Sequence, residues 1–156
     1  MQQFRSLGWS ELDAVLRKSE GEWTQFQEQA MRSITLYSRA ITKFDQSERL
    51  IYTFTALEGM LLRDQSESIA QNIADRMAFA LEKGMEERLA VVAAVRAAYE
   101  VRSKFIHHLQ HGSDANEVSQ FLIHAWMFFV RVLTAWLPHA QTKSEFIGEI
   151  EAVKYS

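Results

Sequence analysis

The chain has 156 residues, the length of one ordinary domain, and 47% of them are hydrophobic, which argues against disorder. It has no cysteine, so disulfides, cysteine-based zinc sites and a thiol nucleophile are excluded. The formal net charge of −3 argues against extended, non-specific nucleic-acid binding, because such proteins carry a basic face. The first twenty residues contain charges and no apolar run, so no signal peptide is expected. We therefore expect one domain over residues 1–156, compatible with a reducing cytoplasm.

The spacing of the apolar residues predicts an all-α protein of about five main helices with short terminal helices. Strand-like alternation is scarce, and the only proline is Pro138. Capping-box patterns at Ser10, Asp45 and Thr142 predict three helix starts. In chain order, the predicted helices cover residues 10–21, 22–44, 45–62, 66 or 68 to 81, 85–109, 116–137 and a short segment from 142.

The most apolar segment runs over residues 121–137 and is interrupted by His124 and Arg131. It is shorter than the roughly 18 residues of a membrane-spanning helix, so we expect a buried helix and no membrane partner. His124 is expected to be a core histidine with satisfied hydrogen bonds. Four aromatic residues here are more typical of a core or a dimer contact than of a base-stacking platform: Trp126, Phe128, Phe129 and Trp136.

An arginine and a histidine, separated by four residues, lie late in the predicted helix 85–109. Arg102 is a permanent cation with a planar fork of donors that suits a phosphate. His107 can exchange a proton near neutral pH. The pair supplies the groups for acid–base chemistry on a phosphodiester without a metal. The alternative is a solvated arginine followed by a helix-end histidine that the helix dipole favours.

Helix geometry separates these two side chains, because residues five apart point about 140° away from each other. Two such helices meeting across a two-fold axis would bring each arginine and histidine to a shared cleft, which predicts a homodimer. The same predicted helix has an apolar stripe that includes Leu89, Val95 and Ile106. A local basic cleft is also conceivable, since Arg88, Arg96, Arg102 and Lys104 all lie in this segment.

The histidines at 107, 108 and 111 have three- and four-residue spacings that can bind zinc from a helical face. No cysteine assists them, and no acidic third ligand lies in the immediate stretch. We therefore expect no metal site and no cofactor.

Three upstream stretches precede the Arg102 motif: Thr-Ala-Leu-Glu-Gly-Met-Leu-Leu at 55–62, Ser-Glu-Ser-Ile-Ala at 66–70 and Ala-Asp-Arg-Met-Ala at 74–78. Together with Tyr-Glu-Val-Arg-Ser-Lys-Phe-Ile-His-His at 99–108, they resemble the Apea-like branch of the HEPN superfamily, in the same order. The resemblance covers roughly residues 45–137. One departure concerns the residue after the histidine, which is often glycine in the family and is His108 here.

The resemblance implies a HEPN-like helical bundle that dimerises with the Arg–His pairs at the interface. It also implies metal-independent RNA cleavage through the ribose 2′-hydroxyl, which yields a 2′,3′-cyclic phosphate and a 5′-hydroxyl. Arg102 would hold the scissile phosphate, and His107 would transfer protons. Glu58 would stand near Arg102, Ser103 would orient the imidazole of His107, and Lys104 would contact backbone phosphate.

The family setting implies defence, a toxin–antitoxin pair or RNA stress in the cytoplasm, with an antitoxin or an attached domain as a further partner. Two other interpretations stay open. One is a non-catalytic HEPN-like module that binds RNA, a nucleotide or a protein, and the other is a helical dimerisation domain. The acidic net charge favours these two, whereas the intact Arg102 and His107 favour the ribonuclease.

Overall fold

The computed structural model of the chain describes residues 9–108 and 115–155, and within these ranges the protein is an all-α bundle without strands, as predicted. Short 3₁₀ turns follow the first and last helices, at Glu20–Glu22 and Val153–Tyr155. The seven helices are α1 (Trp9–Leu16), α2 (Gln25–Ile41), α3 (Gln46–Leu61), α4 (Ile69–Leu81), α5 (Met85–His108), α6 (Ala115–Arg131) and α7 (Lys143–Ala152).

Local capping chemistry fixes several of the helix starts. The carboxylate of Asp45 accepts a hydrogen bond from the backbone N–H of Glu48 at 2.9 Å, which confirms the predicted start of α3. Thr142 and Glu145 form the reciprocal capping box that was predicted for α7. The predicted start of α4 at a serine is confirmed in position, although the Ser68 side chain makes no capping bond.

Two predicted helices were too long. The capping box of α2 is built by Thr24 and Gln27, so this helix begins at Gln25 and ends at Ile41 rather than covering 22–44. The first helix already includes Ser10 and ends at Leu16, so Ser10 is not its cap and the helix does not reach Gly21. Capping side chains and non-helical backbone, rather than the apolar spacing, decide these ends.

Helices that follow one another in the chain pack together, α2 on α3, α4 on α5 and α5 on α6, and α3 also contacts α5. Aromatic rings fill the space between them. Phe54 of α3 stacks on Phe121 of α6, with ring centroids 4.6 Å apart, and both rings are fully buried. The buried face of α5 consists of Val91, Ala94, Val95, Ala98 and Val101.

The predicted stripe of α5 was therefore partly wrong. Leu89 and Ile106 are exposed, at 59% and 47% of their surface, although both are large apolar residues. Ile106 lies one helical turn after Arg102, so the surface beside the candidate site is apolar.

Helix α6 changes its hydrogen bonding near its end. After Arg131 the chain makes one π turn, Val132–Trp136, in which the N–H of Leu137 donates to the carbonyl of Val132 at 2.9 Å. Pro138 then stops the helix, because proline has no N–H and its ring clashes with the carbonyl four residues earlier. The helix therefore ends close to the predicted Leu137, but its last turn has π-type rather than α-type hydrogen bonds.

The continuous helix Asn116–Trp136 has 21 residues and is long and apolar enough to cross a membrane by length and composition alone. This helix begins five residues before the segment 121–137 on which the expectation was based. One face, with Phe121 and Phe128, is fully buried in the bundle, as expected. The opposite face exposes Ile123 and Trp126, so the helix is buried on one side only.

A buried arginine connects α4 with α3 and α7. The guanidinium of Arg76 in α4 pairs with Glu67 before α4 and with Glu151 of α7, each at 2.7 Å. It also donates to the carbonyl of Leu61 at the end of α3. Arg76 therefore has a structural role.

Candidate functional site

Arg102 of α5 faces Glu58 of α3 in the packed structure. Arg102 Nη2 lies 3.2 Å from Glu58 Oε1, and only 15% and 24% of the two side chains are exposed. The proximity that the family resemblance implied for Glu58 is therefore present. Whether the pair serves catalysis stays a prediction.

Two aromatic rings flank the guanidinium. Its carbon lies 5.5 Å from the ring centroid of Phe54 and 5.6 Å from that of Tyr99. Phe54 precedes Glu58 by four residues on α3, and Tyr99 precedes Arg102 by three residues on α5, so each ring shares a helix face with its charged neighbour. The rings pack edge to face, 5.4 Å apart, and hold the arginine in one place.

The ion pair leaves hydrogen-bonding capacity unused. Glu58 Oε1 and Arg102 Nε are both buried, and neither has a hydrogen-bond partner among the described residues. The 3.2 Å contact joins Arg102 Nη2 to Glu58 Oε1 and is too poorly aligned to be a hydrogen bond. Burial raises the pKa of Glu58 above its ordinary value, and the nearby charge of Arg102 opposes that shift. A buried donor and a poorly solvated carboxylate side by side are suited to receiving a ligand atom.

Glu58 also lines a cavity of about 310 Å³ that the sequence did not suggest. Two cations, Arg63 and Lys143, and a second carboxylate, Asp64, line the same cavity. Burial lowers the pKa of Lys143, an effect that Glu67 opposes and Arg76 reinforces. Arg63 is held 2.7 Å from Glu151.

No pattern in the sequence points to Lys143, because it lies 85 positions after Glu58 and only the packing of α7 places both residues at one cavity.

The remaining predicted site residues lie near the end of α5. Lys104 is exposed and pairs with Glu100 at 2.7 Å, one turn earlier on the same helix. Ser103 is half-buried. The structure describes the helical backbone of His107 and His108 but not their side chains, and His111 lies outside the described residues. The roles predicted for these residues, including zinc binding by the three histidines, stay untested.

The cations of α5 do not converge on a single cleft. Arg88 lies over the ring of Phe79, and Arg96 donates to the side chain of Gln71, so both pack towards α4. Arg102 instead packs towards α3 and lies about 21 Å further along the helix axis than Arg88. These three arginines therefore do not form the basic cleft that the sequence left open.

His124 differs from its prediction. It is only half-buried, and its Nδ1 atom is buried without a hydrogen-bond partner, so this core histidine is not fully satisfied. Burial lowers its pKa, and Glu82 opposes the shift. Among the described side chains, no three metal-binding residues cluster closely enough to hold an ion.

Comparison with family models, with curated proteins and with solved structures gave no match. The HEPN resemblance therefore rests on the sequence motifs, and the site rests on its geometry.

Proposed function

We propose that this chain is a metal-independent endoribonuclease of HEPN type that acts as a homodimer, with Arg102 and His107 as its catalytic residues. Arg102 holds the scissile phosphate and stabilises the charge that develops on it. The imidazole of one copy accepts the proton of the 2′-hydroxyl, and the histidine of the second copy gives a proton to the leaving 5′-oxygen. The products are a 2′,3′-cyclic phosphate and a 5′-hydroxyl.

The observation that carries this proposal is the setting of Arg102. A guanidinium that is 15% exposed, flanked by two rings and left with an unpaired Nε donor is better placed to bind an anion than a solvated helix arginine. The arginine lies five residues before His107 on the same helix. These facts support a site over the simpler interpretation of a surface arginine.

Dimerisation is part of the proposal, because one helix directs Arg102 and His107 away from each other. The exposed Ile106 lies between them in the sequence and supports a contact between copies on this surface. Light scattering at micromolar concentration should give twice the chain mass. A strict monomer at high concentration would exclude the composite site.

The deciding experiment is cleavage of a mixed-sequence RNA with end-group analysis for the cyclic phosphate. His107→Ala should lower cleavage by at least about a hundredfold with little change in RNA binding, since general acid–base help contributes about 10²–10⁴-fold. Arg102→Ala should reduce both, and Arg102→Lys should restore little, because an ammonium lacks the bidentate fork.

Two controls test the spacing between the catalytic arginine and histidine and the independence from a metal. His108→Ala should have a mild effect if four residues separate the catalytic pair, and a severe one if five do. Cleavage should persist in excess EDTA. Loss of activity with the chelator and its return with zinc would instead support the zinc interpretation of the histidines at 107, 108 and 111.

A second candidate function is a non-catalytic HEPN-like binding module. The observation that favours it is the carboxylate of Glu58, which neutralises Arg102 in the free protein and competes with a phosphate. A wild-type protein that binds RNA but never cuts it, with both alanine variants alike in binding, would select this alternative. The setting in defence, RNA stress or a toxin–antitoxin pair, and a cytoplasmic location, belong to the ribonuclease proposal.

A further inference from the structure

A second cavity of about 370 Å³ opens between α2, α3 and α6, within the size range of sites for small organic molecules. It is separate from the Arg102 site. Its α3 residue Arg49 lies nine positions before Glu58, which corresponds to the opposite side of that helix. The lining residues that matter here are Tyr37, Ile41, Arg49, Thr53, Ile123 and Trp126.

The cavity contains an arginine without a counter-charge. Among the described residues, no carboxylate lies within 4 Å of the Arg49 guanidinium. Its Nε is buried and has no hydrogen-bond partner in the part of the chain that the structure describes. Leaving a buried charged donor unpaired is costly, so this position favours an anion supplied from outside the chain.

Thr53 adds a second unpaired polar group on the same helix face, four residues after Arg49. Its side chain is fully buried, and its hydroxyl has no partner. Other helical threonines in this chain satisfy the hydroxyl by donating to the carbonyl four residues earlier, as Thr35 and Thr55 do at 2.8 Å. The Thr53 hydroxyl lacks this bond, and Thr53 lines the same cavity as Arg49.

The rest of the cavity is apolar or aromatic. Trp126 exposes 57% of its surface, Ile41 58% and Ile123 49%, which is unusual for such large side chains in a folded domain. The ring of Tyr37 is fixed by stacking on Phe129 at 4.4 Å. Burial raises the pKa of Tyr37, so its hydroxyl stays protonated and available as a donor at neutral pH.

The geometry points to a binding site for a small organic anion with an aromatic body. Its acidic head group pairs with the Arg49 guanidinium. Its ring packs on Trp126 between the two isoleucines. The head group is a carboxylate or a phosphate, both of which the planar fork of an arginine binds with two hydrogen bonds.

The test uses two fluorescent dyes that share an aromatic frame, titrated into the full-length protein. 1-Anilinonaphthalene-8-sulfonate is an anion, and N-phenyl-1-naphthylamine is its neutral relative. The wild type should bind the anion at least about tenfold more tightly, because a hydrogen bond to a charged group contributes that much or more. Displacement of the anion by 1-naphthoate and by 1-naphthyl phosphate then identifies the preferred head group.

Three variants locate the binding. Arg49→Met should weaken binding of the anionic dye about tenfold or more and leave the neutral dye unchanged, whereas Trp126→Ala should weaken both. Arg32→Met, which removes an exposed arginine of α2 outside this cavity, is the matched control and should change neither.

The opposite results would overturn the site. Equal binding of the two dyes by the wild type, or unchanged binding of the anion by Arg49→Met, would mean that only apolar surface is involved. If the wild type binds neither dye and Trp126→Ala converts a dimer into a monomer, then a second copy of the chain covers this face instead. The comparison of the two dyes on the wild type keeps the test decisive even if Arg49→Met fails to fold.

Discussion

Arg76 allows a quantitative test of what holds the bundle together. Only 5% of its side chain is exposed, and it bonds Glu67, Glu151 and the carbonyl of Leu61. The substitution Arg76→Met keeps the apolar stem and removes the guanidinium. It therefore leaves the two carboxylates and the carbonyl without their common donor.

The expected loss follows from what remains around each carboxylate. Removing one partner of a buried ion pair costs about 3–5 kcal/mol. Arg63 still lies 2.7 Å from Glu151, so that carboxylate keeps a cation. Glu67 loses both of its bonds to Arg76, although it still accepts from the backbone N–H of Arg63. We therefore expect the lower end, about 3 kcal/mol, and a melting temperature lower by about 6–12 °C.

Urea unfolding of the wild type and of Arg76→Met measures this loss, provided that the slope with denaturant is unchanged. The matched control is Arg17→Met. Arg17 pairs with Asp13 at the same 2.7 Å, but 77% and 59% of those side chains are exposed, so Arg17→Met should lose much less stability than Arg76→Met. If the two variants lose equal stability, burial does not strengthen the Arg76 network, and the reasoning fails.

Two further predictions concern acid and helix capping. Hydrogen bonds from Arg76 lower the pKa of Glu67 from 4.5 to about 2, so its contribution to the free energy of unfolding is complete above pH 4.5 and disappears as the pH falls through about 2. The stability difference between the wild type and Glu67→Gln should accordingly shrink over that range in acid titrations followed by circular dichroism, and a constant difference would contradict the assignment. Thr142→Ala should cost about 1 kcal/mol in urea unfolding. Thr24→Ala should cost more, because the Thr24 hydroxyl also donates to the carbonyl of Ala140, and equal losses would show that this second bond adds nothing.

Sequence reasoning succeeded where structure is decided locally. Asp45 and Thr142 start their helices because the capping side chain and the N–H that it binds are three residues apart. It failed where a distant contact decides. Leu89 fits a helical apolar stripe yet is 59% exposed, because the packing of α4 and α6 selects a different face of α5. Periodicity defines a stripe, but the tertiary partners define which stripe is buried.

In the candidate site, too, some residues could be predicted from the sequence and others depend on tertiary packing. Arg102 and Glu58 could be predicted together only because a family motif links the two stretches, since their 44-residue separation carries no geometric information. Lys143 had no such motif and was missed. Thr53 and Arg49 occupy adjacent turns of one helix, but nothing in the sequence shows that their polar atoms are left without partners. That fact depends on α2 and α6, which form the other walls of the cavity.

The effect of Glu58 on RNA binding distinguishes a competing carboxylate from a positioning one. Glu58 lies 3.2 Å from Arg102 and cancels much of its charge, so a phosphate must displace the carboxylate or share the guanidinium with it. Burial already disfavours the charged form of Glu58, as its raised pKa indicates. Glu58→Gln preserves the shape of the side chain and removes its charge.

We therefore expect Glu58→Gln to bind single-stranded RNA more tightly than the wild type. The added net charge should also steepen the plot of log K against log salt by about 0.7, the value for one more phosphate contact on a single strand. The measurement is fluorescence anisotropy with labelled RNA across a range of KCl concentrations, and the double variant with Arg102→Met should lose the gain. If Glu58→Gln binds more weakly and with a flatter slope, the carboxylate does not compete with phosphate. It would then hold Arg102 in its binding position, and the charge of the pair would matter less than its geometry.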